Sequence, residues 1–256
     1  IKQGKTLILV VAASYILVWG GILTFSGDCF VPDNDCSGNV YRSMDPVLGY
    51  LETGALTRPQ NPSEIYAEHP IGYSILLFLT KAYQGDFPYV LPVLIQIVLA
   101  FGTGLVVYAV TRSFWPKAAV PAFLLTIFNP NTLFVTVQPK EDSLDAFFIA
   151  VALYFSFEYI RRPGWWAAIA LGLALGISTN IRPSSYYLIF VIPLLFLVVD
   201  MVAGQRDLLK EGLLKGLAGS LVGLALMLPW LSHVNSAGEG YGLSDHSLKH
   251  AWASDF

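Results

Sequence analysis

Long apolar runs alternate with short polar segments along almost the whole chain, and most of the runs have the length of membrane-spanning helices. Crossing about 30 Å of hydrocarbon takes about 20 mostly apolar residues. Seven stretches meet this requirement, at 5–26, 89–111, 117–134, 143–160, 164–181, 185–203 and 212–232. The pattern therefore predicts an all-α fold, a polytopic membrane helix bundle of about seven transmembrane helices.

One further apolar stretch, 71–83, is too short to span comfortably. We interpret it as a helix lying at the membrane interface, at the end of a large polar loop that covers 27–72. This interpretation fixes the side of the membrane on which every later loop lies. Within the predicted spans, the small residues Gly172 and Gly176 indicate close helix packing inside the bundle, rather than a dimer interface.

The distribution of charge supports this topology. Lys and Arg accumulate in short cytoplasmic loops, whereas acidic residues contribute little to orientation. With a cytoplasmic N-terminus, the short basic loops TRSFWPK, RRPG and GQRDLLKEGLLK are cytoplasmic, and the loop 27–72 is outside. If 71–83 spanned the membrane, Arg161 and Arg162 would face outward. The sequence therefore predicts a multi-pass protein whose acidic loops face the outer side.

Both cysteines, Cys29 and Cys36, lie in this outer loop. Their close spacing on an oxidising face predicts a local disulfide, with two free thiols as the alternative. No metal site is predicted there, because no His or Cys partner lies nearby at ligand spacing. The chain begins without Met and ends at Phe256 in a predicted outer loop. We interpret 1–256 as a single membrane domain that is incomplete at its C-terminus.

The outer segments hold the candidate chemistry. Asp45 could accept a proton from an attacking hydroxyl group, although a solvated or helix-capping carboxylate is the alternative. Glu141, Asp142 and Asp145 follow NPNTLFVTVQPK at the outer end of the fourth predicted span, where the helix dipole also favours acids. Asp145 already lies within the apolar pattern, so it should face a cavity or a partner. Arg182 offers a planar fork of donors suited to phosphate, or it reaches the interface by snorkelling.

The order of these segments resembles a family, the polyprenol-phosphate-dependent glycosyltransferases of the GT-C class. The resemblance is closest to the protein-mannosyltransferase-like and aminoarabinose-transferase-like branch of bacteria. It is carried by Asp45 and Tyr50 with ETGAL after them, and by AEHPIGYSILLFLTKAYQG. It continues through QPKEDSLDAFF, GLALGISTNIRPSSYYL and the late LPW, and it covers most of the chain.

The resemblance implies roles for particular residues. Asp45 would be the general base, and Asp142, with Glu141 beside it, would orient the acceptor or the base. Arg182 would hold the lipid phosphate with His69 or Arg58, although His69 stands where family members often have Lys or Arg. Tyr50 and Tyr73 lie in the matching segments and complete the predicted substrate-binding set.

The resemblance also implies the reaction and its setting. A sugar would pass from a polyprenyl-phosphate donor to a hydroxyl of a lipid, glycan or protein acceptor, with inversion, on the periplasmic face of a bacterial inner membrane. No cofactor is required, although paired acids could hold a divalent cation. No nucleic-acid partner is predicted. Two alternatives remain, a transporter or flippase of a lipid-linked substrate, and a non-catalytic subunit of a larger membrane assembly.

Overall fold

The structure is a computed structural model that describes residues 11, 13–21, 40–58, 61–66, 70–84, 88–202 and 209–236. The described helices are α1 (13–21), α2 (Val40–Thr53), α3 (Gly72–Leu79), α4 (Val90–Phe114), α5 (Ala119–Ile127), α6 (Pro130–Val137), α7 (Asp142–Arg161), α8 (Trp165–Ile181), α9 (Tyr186–Val202) and α10 (Leu209–Ser236). Turns of 3-10 helix, Pro116–Ala118 and Pro183–Ser185, precede α5 and α9. Strands β1 (Thr57–Arg58) and β2 (Asn61–Ile65) form an antiparallel hairpin with an irregular register.

Apolar helices dominate this architecture, and the predicted all-α membrane bundle is confirmed. Four helices of the described chain, α4, α7, α9 with its preceding 3-10 turn, and α10, are long and apolar enough to cross a membrane. Helix α8 is apolar as well but has 17 residues. Most of the predicted first span, 5–26, lies outside the described residues. Helix α3 has eight residues, too few to cross a membrane.

The predicted span 117–134 is formed by two helices, not by one continuous helix. Helices α5 and α6 meet at an angle of 42°. Pro130 has no backbone N–H, and it disfavours a helical conformation of the residue before it. Asn129 is accordingly extended, and its side chain accepts a hydrogen bond of 2.8 Å from the Asn131 N–H. The break is therefore capped at the start of α6.

Among the helices that follow α6, helix α8 is central, because it packs against α7, α9 and α10. Its contact with α10 depends on glycine, because a Cβ on Gly172 would overlap the carbonyl oxygen of Gly219. One turn later, a Cβ on Gly176 would lie 3.0 Å from the backbone of Gly223. The predicted close packing of Gly172 and Gly176 thus occurs within the chain itself.

Helix α3 contacts helices from both the N-terminal and the C-terminal parts of the described chain. It packs against α2 on one side and against α8 on the other. A Cβ on Gly72 would overlap the carbonyl oxygen of Asn180, so only glycine permits this approach of α3 to the last turn of α8. The end of the bundle at which α7 begins and α8 ends is termed the site end below.

Candidate functional site

An ion pair between Arg182 and Asp142 lies at the site end. Asp142 is the first residue of α7, and Arg182 follows the last residue of α8. Because Pro183 comes next, Arg182 leaves the helical conformation and is extended. Its guanidinium group donates to the carboxylate of Asp142. The side chains of Arg182 and Asp142 remain 47% and 32% exposed, so other groups can still reach the pair.

A second polar contact joins the same two elements one helical turn further along α7. The carboxylate oxygen Oδ1 of Asp145 accepts hydrogen bonds from the hydroxyl groups of Ser178 and Ser185, the latter at 3.1 Å. The two hydroxyl oxygens lie 2.8 Å apart. A carboxylate at the membrane boundary requires such partners, because an unpaired polar group in an apolar environment is costly. The predicted partner of Asp145 is therefore this pair of serines.

A buried amide connects α3 to the acidic loop before α7. Gln96 of α4 has no exposed surface, and its Oε1 accepts a hydrogen bond of 2.8 Å from the Tyr73 hydroxyl. Its Nε2 donates to the backbone oxygens of Gln138, at 2.9 Å, and of Thr136, at 3.4 Å. Both are at the end of α6. Gln96 therefore fixes the position of α3 relative to the segment that leads to Glu141 and Asp142.

Tyr73 lies close to these acids. Burial raises the pKa of its hydroxyl well above the usual value, and the charges of Glu141 and Asp142 raise it further. The hydroxyl therefore remains a proton donor to Gln96 at any physiological pH. With 2% of its surface exposed, Tyr73 is buried beside the site and does not line an open surface.

An apolar groove lies on the opposite side of α3. It has a volume of about 260 Å³ and is lined by Pro46, Val47, Tyr50, Leu56, Ile71, Ser74, Ile75 and Phe78. Asp45 is half-buried in α2, directly before the first lining residue. The rings of Tyr50 and Phe78 meet edge to face across the groove, with centroids 6.2 Å apart. Ser74, Ile75 and Phe78 of α3 line this groove, whereas Gly72 at the start of α3 lies against Asn180 near the end of α8.

The structure brings some of the predicted site residues together. Arg182, Asp142, Glu141 and Tyr73 surround one end of the bundle, whereas Asp45 and Tyr50 belong to the groove side of α3. Arg58 is the last residue of β1. The predicted ligand His69 and the predicted disulfide Cys29 to Cys36 lie outside the described residues.

Gln96 and the serine pair were not predicted from the sequence. Gln96 carried a usable signal, since it is the one polar residue in the apolar segment VLPVLIQIVLAF. Ser178 and Ser185 carried none, because serine is common wherever helices pack together in membrane proteins. Among the residues that the structure describes, no group of three His, Cys, Asp or Glu side chains is arranged to hold a metal ion.

Comparison with known families identifies one match. Residues 68–233, more than half of the 256 residues, match the family described as dolichyl-phosphate-mannose-protein mannosyltransferase. The matched range includes α3, the acidic loop, the Asp142–Arg182 pair and most of α10, and it begins after Asp45. Neither the curated proteins nor the solved structures gave a match.

Proposed function

The chain belongs to the dolichyl-phosphate-mannose-protein mannosyltransferase family, and on that premise we propose that it transfers a sugar from a polyprenyl-phosphate donor to an acceptor hydroxyl. The family is one of multi-pass membrane glycosyltransferases, and the apolar helices of this chain agree with that. The reaction would occur at the site end of the bundle, on the periplasmic face of a bacterial inner membrane.

The observation that carries this proposal is the half-exposed Arg182 guanidinium, held against the first turn of α7 by Asp142. An arginine has five N–H donors, and one carboxylate can occupy at most two of them in a bidentate pair. The remaining donors are free to bind oxygens of a phosphate group. An arginine so placed stabilises negative charge on a leaving phosphate without reorganising during the reaction.

The groove between α2 and α3 supports a lipid-linked donor. Its lining is apolar apart from the hydroxyl groups of Ser74 and Tyr50, so it suits the first units of a prenyl chain. Asp45 stands at the start of this lining, beside Pro46. A donor whose chain occupies the groove would therefore carry its phosphate and sugar close to both α2 and the start of α3. His69 and Arg58 belong to the loop between these helices and would add cationic groups for the phosphate.

The proposed reaction is a single displacement. Asp45 accepts the proton of the acceptor hydroxyl while its oxygen forms a bond to the anomeric carbon of the sugar. The bond from that carbon to the phosphate oxygen breaks, and its electron pair leaves with the polyprenyl phosphate. Attack from the face opposite the leaving group inverts the configuration. Asp142 and Glu141 would orient the acceptor, and Tyr50 would contact the donor in the groove.

The test compares the full-length protein with two variants of α2. Asp45→Asn removes the proposed base and keeps its shape, whereas Glu52→Gln neutralises an exposed acid on the same helix. Consumption of polyprenyl-phosphate sugars is measured by mass spectrometry, and donor binding is measured separately. We expect Asp45→Asn to lose about 10²- to 10⁴-fold in transfer while still binding donor.

Glu52→Gln should transfer at the wild-type rate. Equal turnover by Asp45→Asn would refute the assignment of the base. If the wild-type protein binds donor but never consumes it, the transferase proposal fails. Movement of the intact donor across the bilayer would then favour a transporter, and donor binding without movement would favour a non-catalytic subunit.

A further inference from the structure

Asp145 closes the turn between α8 and α9 onto α7. Its Oδ1 atom accepts from Ser178, in the last turn of α8, and from Ser185, in the 3-10 turn before α9. One carboxylate oxygen therefore holds both sides of the chain reversal. This contact is made by side chains of the protein itself, and the proposed reaction does not use it.

Arg182 lies between the two serines and is tied to both through the backbone. Its N–H donates to the carbonyl oxygen of Ser178 at 2.8 Å, and its own carbonyl oxygen accepts from the Ser185 N–H at 3.3 Å. Pro183 disfavours a helical conformation of Arg182, which is extended and keeps only its N–H bonded to the last turn of α8. The serines on either side of Arg182 both donate to Asp145.

We propose that Asp145 is a positioning residue, which fixes the α8–α9 turn so that the Arg182 guanidinium group meets Asp142 and faces the donor phosphate. The effect on the donor rests on the proposed function, whereas the effect on Arg182 does not. Asp142 and Asp145 are three residues apart on α7, so both lie on the face that meets the turn. Asp142 contacts the side chain of Arg182, and Asp145 holds the backbone that carries it.

The variants separate the shape of Asp145 from its bonding. Asp145→Asn keeps an Oδ1 acceptor for both hydroxyl groups, whereas Asp145→Ala removes it. Ser185→Ala removes one of the two bonds and leaves the carboxylate in place, which covers the case in which Asp145→Ala fails to fold. Ser156→Ala is the matched control, because its hydroxyl group lies on α7 and donates to the carbonyl oxygen of Ala152 on the same helix.

The first readout is independent of catalysis. The purified full-length chain is treated with phenylglyoxal below its unfolding temperature, and modification of Arg182 is followed by peptide mass spectrometry, with Arg162 as the internal reference. We expect Asp145→Ala and Ser185→Ala to increase the Arg182 modification rate severalfold. Asp145→Asn and Ser156→Ala should match the wild type. Unchanged modification in both Asp145→Ala and Ser185→Ala overturns the proposal.

The second readout is the kinetics of transfer. A displacement of a binding group by about 1 Å can cost about 100-fold in rate, so we expect Asp145→Ala to raise the donor KM at least tenfold without changing the acceptor KM. Asp145→Asn should restore the wild-type donor KM. Faster modification of Arg182 with an unchanged donor KM would overturn the link to the donor. If the wild type transfers no sugar, the proposed function fails, and the modification rates still decide whether Asp145 positions Arg182.

Discussion

Arg182 pairs with Asp142 across 40 residues of sequence, and this pair joins the end of α8 to the first turn of α7. Each residue is placed by a feature of its own element. Pro183 ends the helical conformation at Arg182, and Asp142 occupies the N-terminal turn, where the helix dipole favours an acid. The pair therefore holds the Arg182 cation, half-exposed, at the site end of the bundle.

Loss of this cation should mainly affect catalysis. We expect Arg182→Gln to lower kcat/KM for sugar transfer by roughly 10²- to 10³-fold, the usual effect of removing one donor that stabilises charge in a transition state. Arg162→Gln is the control, since Arg162 is an exposed residue at the opposite end of the bundle. Initial rates over a range of donor concentrations provide the measurement. Equal losses in the two variants would contradict the role of Arg182.

Gln96 should contribute strongly to stability. Gln96→Leu leaves the Tyr73 hydroxyl and two backbone oxygens at the end of α6 without this partner. Unsatisfied buried polar groups cost about 1–3 kcal/mol each, so we expect the free energy of unfolding to fall by at least about 2 kcal/mol. Unfolding by denaturant in detergent measures this free energy for each variant. Thr103→Val on the same helix removes a hydroxyl group that donates to the Leu99 carbonyl oxygen, and it should cost little. Comparable losses in both variants would argue against a special role of Gln96.

Close packing of α8 on α10 should not tolerate a side chain at Gly172. A Cβ there would overlap the Gly219 carbonyl oxygen, and backbone cannot move aside as a flexible side chain can. We expect Gly172→Val to cost at least about 3 kcal/mol, at the upper end of the range for overpacked sites. Gly164→Ala, where the nearest atom to an added Cβ is the Arg162 carbonyl oxygen at 3.6 Å, should be close to neutral. Thermal unfolding of the purified variants measures these losses of stability. A Gly172→Val protein as stable as the wild type would refute the close packing of α8 on α10.

The orientation of the bundle can be tested with single cysteines in a Cys29→Ser, Cys36→Ser background. Basic residues at the end that carries Lys117 predict that this end is cytoplasmic. In intact cells, a membrane-impermeant maleimide should label Lys140→Cys at the site end. Lys117→Cys should react only after the cells are permeabilised. The opposite pattern of labelling would place the site end in the cytoplasm.

Features that depend on local composition, such as the positions of the apolar helices, could be predicted from the sequence. The apolar runs located α4, α7, α8, α9 and α10, and the charged ends of those runs made Asp142 and Arg182 candidates, although their pairing was not predicted. Capping and proline effects act within a few residues, so such features can be recognised from a single sequence. The bend between α5 and α6 could have been recognised from Pro130, but the continuous apolar run around this proline favoured a straight span.

Contacts between distant segments could not be predicted in the same way. The bond of Tyr73 to Gln96 and the serine pair on Asp145 depend on which helices become neighbours, and helical periodicity does not determine that. The β1–β2 hairpin was missed because its strands are too short to show an alternating pattern. The glycines of α8 indicated a close neighbour, but only the fold identifies it as α10.

The lengths of the helices have a consequence for the surrounding bilayer. Helix α8, with 17 residues, rises about 26 Å, which is less than the hydrocarbon thickness of about 30 Å. Such hydrophobic mismatch is relieved when the bilayer thins locally or when flanking polar side chains reach toward the headgroups. Because Arg182 directly follows α8, both adjustments bring lipid headgroups and this guanidinium to the same depth. A phosphate anchored in the membrane would then meet Arg182 without leaving its own layer.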